Sequence, residues 1–319
     1  MDVQELGYGG DLFVLPFDHR SSFEAGLLGI GSRRPNPQEV EVLCGYKRVV
    51  YDGFLQALGS GIPSESAAIL VDQKYGSEIL ADANKRGVIT CVPVEKSGQA
   101  EFDFEYGADY EQRLQEANPT FVKALVRYNP EDDPKVNESQ RRRLKVLSDH
   151  THSAGYKFMF ELLVPATGPQ LESVNQDKYA YDLRLRPEIT VKAISDLQKA
   201  GIEPDIWKLE GMENSLALSS TVRQAQDGGR ERVGIIVLGR GEDDERVGRW
   251  LAVGAQTRGV IGFAVGRTTF WGPLVEYQGG KVSRAVAVGR IAGNYKRLYD
   301  LFIKARAVSP KVDAVRDAG

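Results

Sequence analysis

Three charged residues sit inside short strand-like runs: Lys123 in FVKALVRY (121–128), Glu161 in KFMFELLV (157–164) and Lys208 in DIWKLE (205–210). An amine among apolar side chains is expensive to keep charged, and a neighbouring cation adds to that expense, so such a lysine is pushed toward its free amine. A free amine attacks a carbonyl carbon, and a carboxylate beside it can carry the protons; these are the parts of Schiff-base chemistry. A single strand lysine more often just pairs with a carboxylate such as Glu210 or Glu161. Two lysines and a glutamate on three successive segments would need three such coincidences.

A second group follows the last two apolar runs. VLGRGEDD and AVGRTTFW place Gly239, Arg240 and Gly241, then Gly266 and Arg267, at the ends of those runs. Glycines let backbone N–H groups approach an anion, and arginine offers a planar fork to a phosphate. The plainer alternative is that the glycines turn the chain and Arg267 makes a surface pair. Of the three histidines, His150 and His152 fall in a helical stretch, so only His19 lies near a strand end, too few for a zinc site. Asp18, Asp72, Glu161 and Glu210 offer oxygens that Mg²⁺ would accept. That alternative leaves both interior lysines unexplained, and no metal or cofactor is expected. Cys44 and Cys91 lack CxxC spacing and read as buried thiols.

The elements that must position these groups are eight short runs rich in Val, Ile and Phe, at 12–17, 67–72, 88–94, 121–128, 157–164, 205–210, 233–239 and 260–266. Amphipathic stretches such as VEVLCGYKRVVYDGFLQAL and DERVGRWLAVGAQTRG separate them, several ending in glycine. Eight uniformly apolar strands alternating with helices predict an α/β fold, a single (β/α)8 barrel with its site at the strands' C-terminal ends. A doubly wound dinucleotide fold fails at its fingerprint, because the only G-x-G directly after a strand, Gly239-Arg240-Gly241, has Asp244 where the third glycine belongs. Residues 21–37 and 165–187 read as long loops over the mouth, with the barrel spanning 1–303 and a C-terminal extension 304–319. Alternation along a strand groups Ile206, Lys208 and Glu210 against Trp207 and Leu209, Lys123 with Leu125 and Arg127, and Glu161 with Met159 and Leu163. With Trp207 and Leu209 under helices, Lys208, Lys123 and Glu161 face the interior on adjacent strands. Lys74 and Lys96 lie past the apolar runs and read as rim residues.

Composition removes other classes. The chain has 319 residues, 41 Lys plus Arg against 44 Asp plus Glu, and a net charge of −3, which argues against a nucleic-acid binder. The basic run Arg141, Arg142, Arg143 and Lys145 reads as a solvated helix face. The N-terminus lacks a basic segment followed by an apolar one, and no apolar run approaches the ~18 residues of a membrane span, so a cytoplasmic protein without membrane contact is expected. The oligomeric state is open, a homo-oligomer included.

The segments VDQKYG, FVKALVRYNP, FMFELLVP, IWKLEG, VLGRG and GFAVGRTTFW, in that order, resemble the class I aldolase family of tagatose 1,6-bisphosphate aldolase and sulfofructose-phosphate aldolase. The chain is most similar to the aldolase-like domain fused to 5-dehydro-2-deoxygluconokinase in myo-inositol catabolism, over nearly its whole length to about residue 303, with WKLEG and VGRTTFW the specific parts. The resemblance implies that Lys208 is the Schiff-base lysine, Lys123 the strand-four lysine, Glu161 the acid/base and Arg267 the anion ligand, supported by Gly239 and Gly266. It also implies that Asp18 and Gln73 line the sugar site, beside Asp72. Where other members place a serine after the seventh strand, this chain has Gly-Arg-Gly, so Arg240 and Gly241 bear on which anion is accepted. The expected partner is a small sugar phosphate, and the implied reaction is cleavage of 6-phospho-5-dehydro-2-deoxygluconate to dihydroxyacetone phosphate and malonate semialdehyde.

Overall fold

A computed structural model describes residues 3–31 and 33–308. Each apolar run becomes a strand: β1 (Leu12–Pro16), β2 (Ala67–Leu70), β3 (Ile89–Pro93), β4 (Phe121–Arg127), β5 (Lys157–Leu163), β6 (Ile206–Glu210), β7 (Gly234–Leu238) and β8 (Val260–Ala264). They pair in parallel in sequence order and close as β1 meets β8, with Leu12 opposite Gly262. The helices are α1 (Ser21–Leu28), α2 (Pro37–Leu58), α3 (Gln73–Lys85), α4 (Tyr110–Ala117), α5 (Pro134–Ser153), α6 (Gly168–Ser173), α7 (Lys178–Arg184), α8 (Arg186–Lys199), α9 (Ser215–Gln226), α10 (Asp244–Gln256), α11 (Arg267–Gln278) and α12 (Arg284–Val308). The molecule is a single (β/α)8 barrel, as the strand count predicts.

Strict alternation produces two apolar layers. Val14, Leu70, Phe121, Met159, Ile206 and Ile236 fill the barrel's lower interior. Trp207, Leu209, Phe160 and Phe13 face outward into the larger layer beneath the helices. Tyr8 packs edge-on against Phe121, 5.3 Å between ring centres, and closes the bottom. Cys91 is buried in the inner layer, which pushes its thiol pKa up, whereas Cys44 is only half-buried. One irregularity interrupts the ladder: β7 and β8 step from Ile235 opposite Val260 to Ile236 opposite Gly262, and Ile261 is bulged out of register.

The two expected long loops carry helices instead. Residues 21–28 form α1, and 165–187 hold α6, α7 and the start of α8. In 165–187 the cause is capping: Thr167 and Gln170 form a reciprocal box ahead of α6, and Asp177 accepts from the Tyr179 and Ala180 N–H groups to start α7. The barrel's expected end at 303 falls within α12, which runs on to Val308, while the rest of 304–319 lies outside the described residues. The basic run on α5 is not simply solvated, since Arg141 binds the Tyr128 hydroxyl at 2.6 Å and Arg143 the Phe102 carbonyl at 2.8 Å. No described helix is long and apolar enough to cross a membrane.

Candidate active site

The C-terminal ends of the strands open into a cavity of about 460 Å³. On its floor Lys123 (β4), Glu161 (β5) and Lys208 (β6) point inward from adjacent strands, 1%, 7% and 4% exposed. Oε2 of Glu161 meets both lysines, 2.8 Å from Lys208 Nζ and 2.9 Å from Lys123 Nζ. Lys123 also meets Asp18 at 2.9 Å and Glu95 at 2.6 Å. Arg20 extends the network, donating to the Glu95 carbonyl at 2.8 Å and pairing with Glu105 at 3.2 Å.

The electrostatics separate these groups. Burial by itself would lower the Lys123 ammonium pKa, but Asp18, Glu161 and Glu95 together raise it, so this lysine is held charged. Burial would likewise raise Glu161, but Lys123 and Lys208 keep it below the usual carboxylate range. Asp18 is lowered in the same way against its burial, chiefly by Lys123. Glu95 goes the other way: burial raises it despite Lys123 and Arg20, and its Oε2 is buried without a hydrogen-bond partner. His19 is depressed to about 4, mainly by burial and then by Arg267, Lys47 and Lys208, so its imidazole is neutral near pH 7.

The wall between Lys208 on β6 and Asp18 after β1 holds the glycine–arginine loops, which follow β7 and β8. Gly239, Arg240, Gly241, Gly266, Arg267 and Thr268 all line the cavity. Gly241 has φ +79°, which favours glycine. Gly266 lies so close to β1 that a Cβ there would come within 2.3 Å of the Pro16 carbonyl oxygen. Gly266 also caps α11 with no side-chain bond; its carbonyl accepts from the Thr269 N–H at 2.8 Å, and the Arg267 and Thr268 N–H groups of that first turn have no side-chain cap at the cavity wall. Among the described residues Arg267 makes one long hydrogen bond, 3.4 Å to the Ser22 hydroxyl. Arg240, by contrast, is held by Asp182 at 2.9 Å and Glu210 at 3.0 Å.

Two expected site residues lie elsewhere. Asp72 caps α3 through the Tyr75 N–H at 3.0 Å and pairs with Lys47. Gln73, the first residue of α3, points away from the mouth and donates to the Arg113 carbonyl at 2.7 Å. β2 ends at Leu70, so Asp72 caps the helix before it can turn inward, while Gln73 falls on the outward parity of Ile69 and Val71. Glu210 accepts from the Val164 N–H at 3.1 Å and does not line the cavity. Among the described residues no three His, Cys, Asp or Glu side chains converge as a metal-binding group. His150 and His152 lie on α5, at 3.3 Å from Glu111 and 2.8 Å from the Glu203 carbonyl.

Two residues were not marked by their spacing. Glu95 is recognisable only as a strand-end acid, and its pairing with Lys123 spans 28 positions. Lys47 of α2 is fully buried, and its one signal is a lysine on the apolar stripe of Leu43, Val50 and Phe54.

Fold and site thus define a (β/α)8 barrel with a buried lysine–carboxylate cluster at its open end. More particularly, the chain belongs to the family described as an uncharacterized protein conserved in bacteria, DUF2090, whose model matches residues 7–306. No curated protein matches the sequence. Among solved structures, fructose-bisphosphate aldolase from Plasmodium falciparum, in a ternary complex with TRAP and a small-molecule inhibitor, is 14% identical over 94% of this chain and 92% of its own, with a TM-score of 0.62. Fructose-bisphosphate aldolase from Slackia heliotrinireducens is 12% identical, covering 91% and 87%, at 0.55. Cgl0159 from Corynebacterium glutamicum is 17% identical, covering 92% and 86%, at 0.54. At these identities the likeness is one of fold.

Proposed function

We propose that this chain is a carbon–carbon lyase, a class I aldolase that cleaves a phosphorylated ketose or keto-acid through a Schiff base on Lys208. The observation that carries the reading is the contrast between the two lysines. Lys123 is clamped by three carboxylates, whereas among the described residues Lys208 pairs with Glu161 alone, and through an oxygen already shared with Lys123. Lys208 passes its proton to Glu161 and attacks the substrate carbonyl; the carbinolamine loses water, for which Glu161 returns a proton, and an iminium results. A base then takes the proton of the hydroxyl carried by the far carbon of the bond to be broken. That bond cleaves, an aldehyde departs, and its electron pair enters the iminium to form an enamine. Protonation of the enamine carbon and hydrolysis return Lys208. The charged Lys123 stabilises negative charge that develops on oxygen during these steps.

Arg267, with the first turn of α11 and Gly239, is the proposed phosphate anchor, lining the same cavity as the lysines. Arg240 serves it indirectly, its charge being matched by Asp182 and Glu210. The proposed substrate is 6-phospho-5-dehydro-2-deoxygluconate, giving dihydroxyacetone phosphate and malonate semialdehyde; sulfofructose phosphate and ketose bisphosphates are the competing substrates, separated by turnover. The mechanism needs no metal, so activity is expected to survive EDTA, and loss of activity restored by Mg²⁺ would overturn it. The deciding experiment is borohydride reduction with dihydroxyacetone phosphate followed by peptide mass spectrometry. An adduct on Lys208 is expected; turnover of the substrate with no adduct refutes the Schiff base.

A further inference from the structure

Lys47 is a charged residue in a place that packing alone would give to an aliphatic one. It is fully buried on α2, outside the barrel wall, with the rings of Phe23 and Tyr75 within 5.3 and 5.7 Å. A buried ammonium is tolerated only where its donors are used. All three are: Nζ donates to the carbonyl of Phe17 at 2.7 Å, to the carbonyl of His19 at 3.0 Å, and to the carboxylate of Asp72. The first two carbonyls flank Asp18, the residue whose carboxylate reaches Lys123 at 2.9 Å. Asp72 is itself fixed, because its other oxygen caps α3. The pair therefore ties α2, α3 and the end of β1 together at the backbone on either side of Asp18. Lys47 does not line the cavity.

We propose that the Lys47–Asp72 pair positions the active site: by gripping the carbonyls on both sides of Asp18 it holds that carboxylate against Lys123, leaving the shared oxygen of Glu161 able to serve Lys208. The proposal rests on the Schiff-base reading above. When Asp18 withdraws, Lys123 leans harder on Glu161, and Glu161 becomes a poorer acceptor for the Lys208 proton. The phosphate anchor follows β8, beside β1, but among the described residues no hydrogen bond or ion pair joins Lys47 or Asp72 to Arg267. Loss of the grip thus acts first on kcat, with a smaller effect on KM.

The test is a cycle of variants: Lys47→Met, Asp18→Ala, both together, and Lys47→Met/Asp72→Asn. The last leaves no unpaired buried carboxylate and keeps a good helix cap, so it separates the grip from simple charge balance. In both variants carrying Lys47→Met with Asp18 intact, kcat is expected to fall about 10²-fold, the effect of a small misplacement at a reacting group, with a smaller change in KM and borohydride labelling of Lys208 slowed in step. Lys47→Met is expected to add little once Asp18 is already Ala. Wild-type kcat in Lys47→Met/Asp72→Asn, or losses at positions 47 and 18 that simply multiply, would overturn the positioning role. A wild-type enzyme that turns over without an adduct overturns the Schiff-base reading instead, and the kcat cycle still decides the role of Lys47.

Discussion

Lys123 and Lys208 flank Glu161 and share one of its oxygens, yet their surroundings assign them different work. Lys208→Met is expected to abolish both turnover and the borohydride adduct, while Glu161→Gln lowers kcat about 10²–10⁴-fold, the range of a lost general acid–base, as steady-state kinetics would show. Arg267→Ala should weaken phosphorylated ligands and leave unphosphorylated analogues unaffected in calorimetric titration; equal losses for both would remove its role as anchor. His19 gives a stability prediction. Its folded pKa of about 4 lies below the ordinary 6.5, so the unfolded chain binds more protons across that window. Stability from this group is present above pH 6.5 and lost as pH falls toward 4, and His19→Gln should flatten that part of the melting-temperature profile. Lys123, Glu161 and Lys208 were legible in the sequence because period-two alternation puts a charged residue of an apolar strand on the inner face. Lys47 and Glu95 were not, since their partners lie 25 to 30 positions away and only the folded chain brings them together.

Among the elements, the strands were legible from composition alone, because a parallel sheet covered on both faces selects continuous apolar runs. The segments over the mouth were harder to read. Six- to eight-residue helices carry too few turns to show a periodic stripe, and only their caps, Thr167 and Asp177, give them away. Asp72 misses the cavity for another reason: β2 is only four residues long, and a longer strand would have turned Asp72 inward with Ala68 and Leu70, and Gln73 outward. The junction of β8 and α11 allows a sharp test. Gly266→Ala drives a methyl group into the Pro16 carbonyl, and a backbone atom cannot step aside as a side chain can. A loss of about 1–3 kcal/mol is expected in denaturant melts, together with weaker phosphate binding, because β1 and the α11 first turn must separate.

At the scale of the whole molecule, the barrel closes where β1 meets β8, and α12 covers that seam. Tyr295 donates to the Phe13 carbonyl at 2.6 Å, Phe302 and Tyr299 pack on the Phe13 ring, and Arg306 binds Asp11 at 2.7 Å. A chain ending at residue 283 is therefore expected to lose its cooperative thermal transition in calorimetry, since both strands of the seam would lie bare. The bulge beside that seam has a different consequence. Ile261 and Gly262 both fall on the inner side, so β8 holds one residue of slack, and the in–out sequence beyond it is the one a strand without Ile261 would also have. Deleting Ile261 would leave Ala264 and Gly266 facing the cavity, whereas deleting Phe263 would turn the end of the strand inside out and send Val265 into the site. Changes in chain length at β8 can thus be absorbed at Ile261 without moving the chemistry.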